Sequence, residues 1–340
     1  MRANERIDAA MTRAFELADL GPARGVNPRV GCVILGRDGR VIAEGHHRGS
    51  GTAHAEVDAL SRLPAGAAAG ATAVVTLEPC NHTGRTGPCS EALIAAGIAR
   101  VVFAVDDPGN SSGGGGERLR AAGIEVERGF RREEGEIFLD DWLTAARLGR
   151  PRIIVKWAST LDGRVAATDG SSRWITGSAA RADVHRRRSL VDAIGVGTGT
   201  VLADDPALTA RDGDRLAEYQ PIPVVFGRTA VPPGARVRAH PRGLLTSPGN
   251  ALVGEFSALH TRGIRSLLIE GGPRFASAVI ATGLVDEVHV YLAPLLLGGP
   301  RTALTDIGAA TLADGLRLDV RETVSLGADL LLIAVPKGRH

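Results

Sequence analysis

His54, Glu56, Cys80 and Cys89 are the residues of this 340-residue sequence whose types and spacing point most directly to chemistry. A catalytic zinc takes three protein ligands and keeps a fourth position open, and one imidazole with two thiolates makes such a set. A metal held this way brings the pKa of water toward neutrality. Hydrolytic deamination then needs a carboxylate outside the ligand set to carry protons between water, ring nitrogen and leaving amine, and Glu56 is the candidate. The order H-x-E, then P-C, then a second cysteine is that of zinc deaminases acting on nucleobases. Eight residues, Asn81 to Pro88, separate the cysteines here instead of two. They bring His82, Thr83, Arg85 and Thr86 beside the metal; a cation with hydroxyls suits a phosphorylated substrate and crowds the approach of a flipped base. Taken singly, each residue is more simply a core histidine, a surface glutamate or a buried thiol. The four in this order are not explained that way.

The elements around these side chains must place them. HAEVDALSRL, from His54, is helical in pattern, Pro79-Cys80 ends the strand AVVTLEP, and Cys89 precedes the helix SEALIAAG. Residues two apart do not share a helix face. His54 and Glu56 therefore converge only if His54 stands before the helix has settled, which Gly49-Ser50-Gly51-Thr52 permits. Cys89 at a helix N-terminus has its thiolate favoured by the helix dipole. VGCVIL, RVIAEG, RVVFAV and IEVERGF are further strands, ERLRAAG a further helix, and Ile7, Met11, Phe15 and Ala18 recur at helical spacing. Apolar strands alternating with helices indicate a mixed or parallel sheet covered on both faces. Gly113–Gly116 is expected to be a flexible loop within this unit. Cys32, among apolar neighbours, is a small core residue rather than a fourth ligand.

The helical segment EEGEIFLDDWLTAARLG leads to Arg150-Pro151, where we place a boundary between domains 1–149 and 150–340. The second half repeats the rhythm with strands RIIVKW, IPVVFG, SLLIEGG and DEVHVYLAP, then closes on LRLDVRETVSL and DLLLIAV, an expected antiparallel hairpin at the sheet's end. Gly195, Gly197 and Gly199 alternate without forming G-x-G-x-x-G, so a Rossmann fingerprint is absent. The glycine turn of SLLIEGGPRFASAVIATG would present backbone N–H groups and a helix end to a pyrophosphate. By itself, such a turn is more often only a tight turn. Arg186, Arg187 and Arg188 lie on a predicted helix, where successive residues turn by about 100°, so at most one or two face a pocket. Arg186 and Arg187 are assigned to a solvated basic face.

Composition narrows the class. Hydrophobic residues at 44% supply two cores, charged residues at 23% argue against disorder, and a net charge of +2 argues against a nucleic-acid coat. Three cysteines do not make a disulfide framework and fit a reducing compartment. No segment is apolar and long enough for a bilayer, and the N-terminus lacks a signal peptide's apolar core. A cytoplasmic enzyme with neither membrane nor nucleic-acid partner is expected.

NPRVGCVI (Asn27 to Ile34), HAEVDAL, TLEPCNHTGRTGPC, KWASTLDGRVA, SRWITG, GVGTGTVLADDPALTAR, IEGGP and LAPLLLGG follow in this order along nearly the whole chain. Together they resemble the bifunctional riboflavin-biosynthesis deaminase/reductase family. The resemblance implies a three-layer α/β/α cytidine-deaminase-like domain followed by a dihydrofolate-reductase-like α/β domain. It implies zinc-dependent deamination of a diamino-ribosylamino-pyrimidinone 5′-phosphate, then NADPH-dependent reduction of the ribosyl group to ribityl. At matching positions it implies one zinc on His54, Cys80 and Cys89, with Glu56 the proton donor. Asn27, His47 and His82 would line the base pocket, with Arg85 near the phosphate. Ala158, Trp174, Thr200, Asp204, Gly272, Pro273, Arg274, Phe275, Ala276 and Ser277 correspond to NADPH contacts. Ser172, Arg188, Leu208, Arg211 and Glu270 correspond to contacts with the reductase substrate. Two arginines clamping a phosphate while Glu270 holds ribose hydroxyls would be sound chemistry. A homo-oligomer, dimer or tetramer, is expected.

Lys156 and Asp204 are candidates to assist proton transfer to the opening sugar. Two places depart from the family pattern. DDPGNSSGGGG lacks a second proline, and Phe226-Gly227-Arg228 stands where an Asp-Ser pair is common. Arg228 is a candidate partner for the 2′-phosphate of NADPH. Two competing readings are a polynucleotide base editor with an appended domain, opposed by the cysteine spacing and near-neutral charge, and a single-activity enzyme whose other half only binds.

Overall fold

The computed structural model describes residues 3–22, 25–82, 87–109 and 112–338. They fall into two compact units, Met1–Leu148 and Gly149–His340.

The first unit runs α1 (Ala3–Asp19), β1 (Gly31–Leu35), β2 (Val41–His46), α2 (Ala55–Leu60), β3 (Thr72–Leu77), α3 (Cys89–Ala95), β4 (Arg100–Val105), α4 (Gly115–Ala121), β5 (Glu125–Arg128), α5 (Arg132–Phe138) and α6 (Asp140–Leu148). Its sheet has the order β2-β1-β3-β4-β5, with β1 antiparallel to both neighbours and β3, β4 and β5 parallel. Alternate side chains of a strand face opposite sides of the sheet. Val33, Val74 and Val102 pack under Met11 and Ala14 of α1 and Leu143 of α6. Cys32, Ile34, Val75 and Phe103 pack on the other face against Ala55 and Ala59 of α2, Leu93 of α3 and Leu119 of α4. Both faces are covered, which is why β1 is apolar throughout and β4 is apolar after Arg100. Burial pushes the Cys32 thiol well above its usual range, as befits a core residue.

The glycine run departs from its expected looseness. Gly114, at φ +85°, caps α4, and Gly115 and Gly116 are buried in its first turn. A Cβ on Gly115 would sit 1.7 Å from the Pro79 carbonyl oxygen. Glycine there lets α4 begin directly against the turn that carries Cys80.

The second unit runs β6 (Arg152–Thr160), α7 (Ser178–Arg188), β7 (Ala193–Gly197), α8 (Thr198–Asp204), β8 (Arg211–Asp212), β9 (Arg215–Leu216), β10 (Ile222–Phe226), β11 (Leu245–Ser247), α9 (Leu252–Thr261), β12 (Ser266–Ile269), α10 (Pro273–Ala281), β13 (Glu287–Ala293), β14 (Leu318–Leu326) and β15 (Asp329–Pro336). The main sheet has the order β11-β10-β7-β12-β6-β13-β15-β14. It is parallel from β11 to β13, and the β14–β15 hairpin joins β13 antiparallel, closing the sheet as expected. In such a sheet the carboxyl ends of the parallel strands form the crevice where ligands bind. No helix among the described residues is long and apolar enough to cross a membrane.

Candidate active sites

The first unit brings the four residues of the metal motif together. His54 is the N-cap of α2, extended at φ −69° and ψ 160°, while Glu56 lies in the first helical turn. The non-helical backbone at His54 resolves the spacing conflict: imidazole and carboxylate leave the chain in directions that a regular helix would not give them. Cys80 follows β3, and Cys89 opens α3, its backbone N–H pointing at the Cys80 sulfur at 3.4 Å. His54 Nδ1 lies 3.5 Å from the Cys80 Sγ and 3.4 Å from the Cys89 Sγ. Tetrahedral bonds of about 2.0 Å to nitrogen and about 2.3 Å to sulfur require nitrogen–sulfur separations of about 3.5 Å. The three ligand atoms lie within 4.8 Å of one another, so the donor set fits zinc in size and in chemistry. Hydrogen bonding from Cys89 lowers the Cys80 thiol from its ordinary value, whereas Cys89, donating and buried, is pushed up. A bound dication would deprotonate both. Burial raises the Glu56 carboxyl to about 7, the range in which one group can both take and give a proton.

A cavity of about 240 Å³ opens over these atoms, and Asn27, His47 and His82 line it beside His54, Glu56 and Cys80. His47 donates Nδ1–H to the Ala53 carbonyl at 3.1 Å, so its Nε2 accepts from the Asn27 amide at 3.0 Å. Burial lowers the His47 pKa, and these two bonds fix the neutral Nδ1–H tautomer. The Nδ1 of His82 is buried without a hydrogen-bond partner among the described residues. Arg85 lies outside the described residues, as do Thr83 and Thr86.

Glu78, Asp107, Ser112 and Trp142 also line the cavity, and motif reasoning passed over them. The Glu78 carboxylate accepts backbone N–H groups from Asp107 at 3.0 Å and Gly116 at 2.8 Å, tying the loop after β4 to the Cys80 turn. Asp107 accepts from the Gly109 N–H at 2.8 Å and the Ser112 hydroxyl at 3.0 Å, and burial raises its pKa. Carboxylates placed where apolar strands end were the available signal.

The second unit gathers a different set. Glu270 follows β12 and accepts a bidentate pair from Arg188 of α7, Nε at 2.7 Å and Nη2 at 2.8 Å. Lys156 of β6 lies 3.6 Å from the same carboxylate. Burial would raise the Glu270 pKa, but Arg188 and Lys156 outweigh it and hold the group at about 2. Burial also pulls the Lys156 ammonium below its ordinary value. The Arg188 guanidinium, expected with Arg211 to clamp a phosphate, also donates to the Thr209 carbonyl at 3.0 Å. Arg211, half-buried, donates to the Thr209 hydroxyl and the Asp214 carbonyl. The expectation for Arg187 is corrected: its side chain is 18% exposed and pairs with Asp183 at 2.7 Å, so only Arg186, 58% exposed, stands on a solvated face.

Thr200 and the glycine turn meet, since a Cβ on Gly272 would come within 2.9 Å of the Thr200 hydroxyl. Gly272 has φ +53° and caps α10 with Pro273 at its first position, and Arg274 is exposed beyond it. Phe275 stacks on Phe226 at 4.8 Å, Ala276 is in the core, and Ser277 accepts the Thr305 N–H at 2.8 Å. These three side chains turn inward, which leaves backbone groups as their means of contact. Leu208, 3% exposed, packs in the core at φ +53° and likewise offers only backbone. Ala158 lies on β6 opposite Tyr291. Ser172 is half-buried, whereas Trp174 is 70% exposed with the Arg181 guanidinium 4.8 Å from its ring. Arg173 donates to the Asp204 carbonyl at 2.7 Å, joining this segment to the end of α8, where Asp204 is exposed. Arg228 is exposed just beyond β10.

Comparison with known proteins gives both halves a family. The model of the cytidine and deoxycytidylate deaminase zinc-binding region matches residues 4–105, and that of the RibD C-terminal domain matches residues 151–332. The riboflavin biosynthesis protein RibD of Mycobacterium tuberculosis is 46% identical over 334 residues, covering 97% of this chain and 98% of the relative. That of Escherichia coli is 40% identical over 358 residues, covering 95% and 97%. Among solved structures, Acinetobacter baumannii RibD is similar with a TM-score of 0.86 at 36% identity, covering 98% of this chain and 99% of that one. A diaminohydroxyphosphoribosylaminopyrimidine deaminase/5-amino-6-(5-phosphoribosylamino)uracil reductase from Thermotoga maritima gives 0.84 at 33% identity, covering 98% and 100%.

Proposed function

Because the chain belongs to the RibD family of bifunctional riboflavin-biosynthesis enzymes, we propose that its two reactions are divided between residues 1–149, which deaminate, and residues 150–340, which reduce. Its first half is cytidine-deaminase-like and depends on zinc; its second is dihydrofolate-reductase-like and depends on NADPH.

In the deaminase, His54, Cys80 and Cys89 hold the metal, which when bound supplies the Lewis acidity that makes water nucleophilic near neutral pH. Glu56 takes a proton from the attacking water and delivers it to the ring nitrogen. A proton then passes to the amine, which leaves as ammonia while the ring carbon becomes a carbonyl. The neutral His47 orients the Asn27 amide at the cavity wall, and His82 and Arg85 are assigned to the base and the phosphate. One observation carries this reading: three ligand atoms of the right type and spacing beside a buried carboxyl raised to about 7.

In the reductase, NADPH when bound supplies a hydride to the sugar's C1. The C1–O4′ bond opens, O4′ ends as a hydroxyl, and the reaction consumes one proton. Lys156, the ammonium at the crevice, delivers that proton, and Glu270 holds it in place. Arg211 and Arg188 are assigned to the phosphate and Glu270 to the ribose hydroxyls, Ser172 and the Leu208 backbone complete the substrate wall, and Arg188 neutralises Glu270. Ala158, Trp174, Thr200, Asp204 and the Gly272–Ser277 backbone are assigned to the cofactor, with Arg228 reading its 2′-phosphate. Reducing conditions suit the three free thiols, and we place the enzyme in the cytoplasm as a homo-oligomer on the family resemblance.

Supplying the diamino ribosylaminopyrimidinone phosphate with zinc tests the order of events. Ammonia should appear without NADPH, and NADPH should then be oxidised only after that release. Glu56→Gln should keep stoichiometric zinc and lose ammonia release; an active Gln variant would remove Glu56 from its role.

A further inference from the structure

Lys156 sits on β6, which runs between β12 and β13, so it has one flank on each neighbouring strand. Glu270 supplies the first, 3.6 Å away. The second is the ring of Tyr291, whose centroid lies 5.5 Å from the Lys156 ammonium, within the range at which a cation is drawn to an aromatic face. Tyr291 is fully buried, and its hydroxyl donates to Asp183 Oδ2 at 2.6 Å. Any acceptor would satisfy a buried phenol. An ionised carboxylate does more, since a charge-assisted bond is shorter and stronger and pins the hydroxyl, and with it the ring, in one place. Asp183 is held in turn by Arg186 and Arg187, at 2.6 and 2.7 Å. It lies on α7, the helix whose last residue, Arg188, clamps Glu270. One helix therefore fixes both flanks of a single ammonium, through Arg188–Glu270 on one side and Asp183–Tyr291 on the other.

We propose that Asp183 and Tyr291 are positioning residues of the reductase, holding the Lys156 ammonium toward the opening sugar from the β13 side. This rests on the reading of Lys156 as the proton donor. Neither residue touches substrate; both act through Lys156. Displacing a proton donor by about 1 Å costs up to about a hundredfold in rate while leaving binding contacts in place.

The test is steady-state reduction by the full-length enzyme, with kcat and both KM values measured on the deaminated substrate and NADPH. Tyr291→Leu should lower kcat by about tenfold to a hundredfold with both KM values within about twofold. Tyr291→Phe, which keeps the ring but loses the bond to Asp183, should recover part of that loss, and Asp183→Asn, which keeps both ring and hydroxyl, should lose no more than the Phe variant. Arg186→Ala removes one ion pair of Asp183 but not the phenol bond, and should leave kcat unchanged. Equal kcat losses in the Leu and Phe variants, or a loss expressed in KM, would overturn the proposal. If the Leu variant does not fold, Asp183→Asn decides: parental kcat overturns the proposal, and a lowered kcat at unchanged KM supports it. Lys156→Ala separates the two readings. Reduction at the parental rate in that variant sinks the proton-donor assignment itself, whereas an inactive Ala variant beside a fully active Tyr291→Leu sinks only the positioning role.

Discussion

The two sites of this chain are built in opposite ways. The metal centre draws its ligands from residues 54 to 89, each at a junction between a strand or loop and a helix, so backbone geometry alone delivers them. The crevice of the second unit draws Lys156, Arg188, Glu270 and Tyr291 from two strands, the turn after a third and one helix, and charge pairs and a cation–ring contact fix their positions. A metal site assembled locally tolerates no change of ligand type. A site assembled by ion pairs over 136 positions of sequence depends on every partner staying paired.

Removing zinc should break the comparison most sharply. Chelation is expected to abolish ammonia release while reduction of deaminated substrate continues, read by ammonia assay and NADPH absorbance. Equal loss of both reactions would show that the units do not function separately. Glu56→Gln should lower the deamination rate by about 10²–10⁴-fold with reduction intact, the range that a general acid–base group supplies.

Arg188→Ala should do the converse. Leaving a buried carboxylate without its main partner costs about 3–5 kcal/mol, so thermal unfolding of the second unit should move down while zinc-dependent deamination persists. The acid side sharpens this further. Glu270 is held at about 2, below the usual glutamate range near 4.3, so its ionised form stabilises the fold above that range. That contribution fades as pH falls toward about 2. Glu270→Gln should therefore be less stable than the parent at neutral pH, and acid titration should show the gap closing between about pH 4.3 and about 2. The smallest effect expected is in cofactor choice: Arg228→Ala should narrow the preference for NADPH over NADH by about tenfold, roughly the worth of one charge-assisted contact. An unchanged ratio would leave the 2′-phosphate to another group.

Legibility followed the same division. Histidine and cysteine are scarce, and their order around two strand–helix junctions named the metal centre without any coordinates. The alternation of apolar strands with helices likewise gave the covered sheets and the closing hairpin of β14 and β15. Arginine is abundant, so the run Arg186–Arg188 carried no comparable signal: an exposed member and a half-buried one both pair with Asp183, and the third pairs with Glu270. Glu78 and Asp107 went unread for a related reason. Their work is to accept backbone N–H groups from the loop after β4 and the start of α4, and no motif records which amides a fold will bring to a carboxylate.

By itself, the sequence determined what depends on residue type and short spacing: a His/Cys/Cys zinc set with its carboxylate, two α/β units, and membership in a deaminase/reductase family. Tertiary structure decided what depends on which distant groups become neighbours in a dry interior. It set His54 outside its helix and raised Glu56 to about 7, and it seated α4 against the Cys80 turn through Gly115. It also brought Arg188 of α7 against Glu270 beyond the end of β12. Burial and pairing energies rise steeply as water is excluded, and exclusion of water is a property of packed surfaces rather than of sequence order.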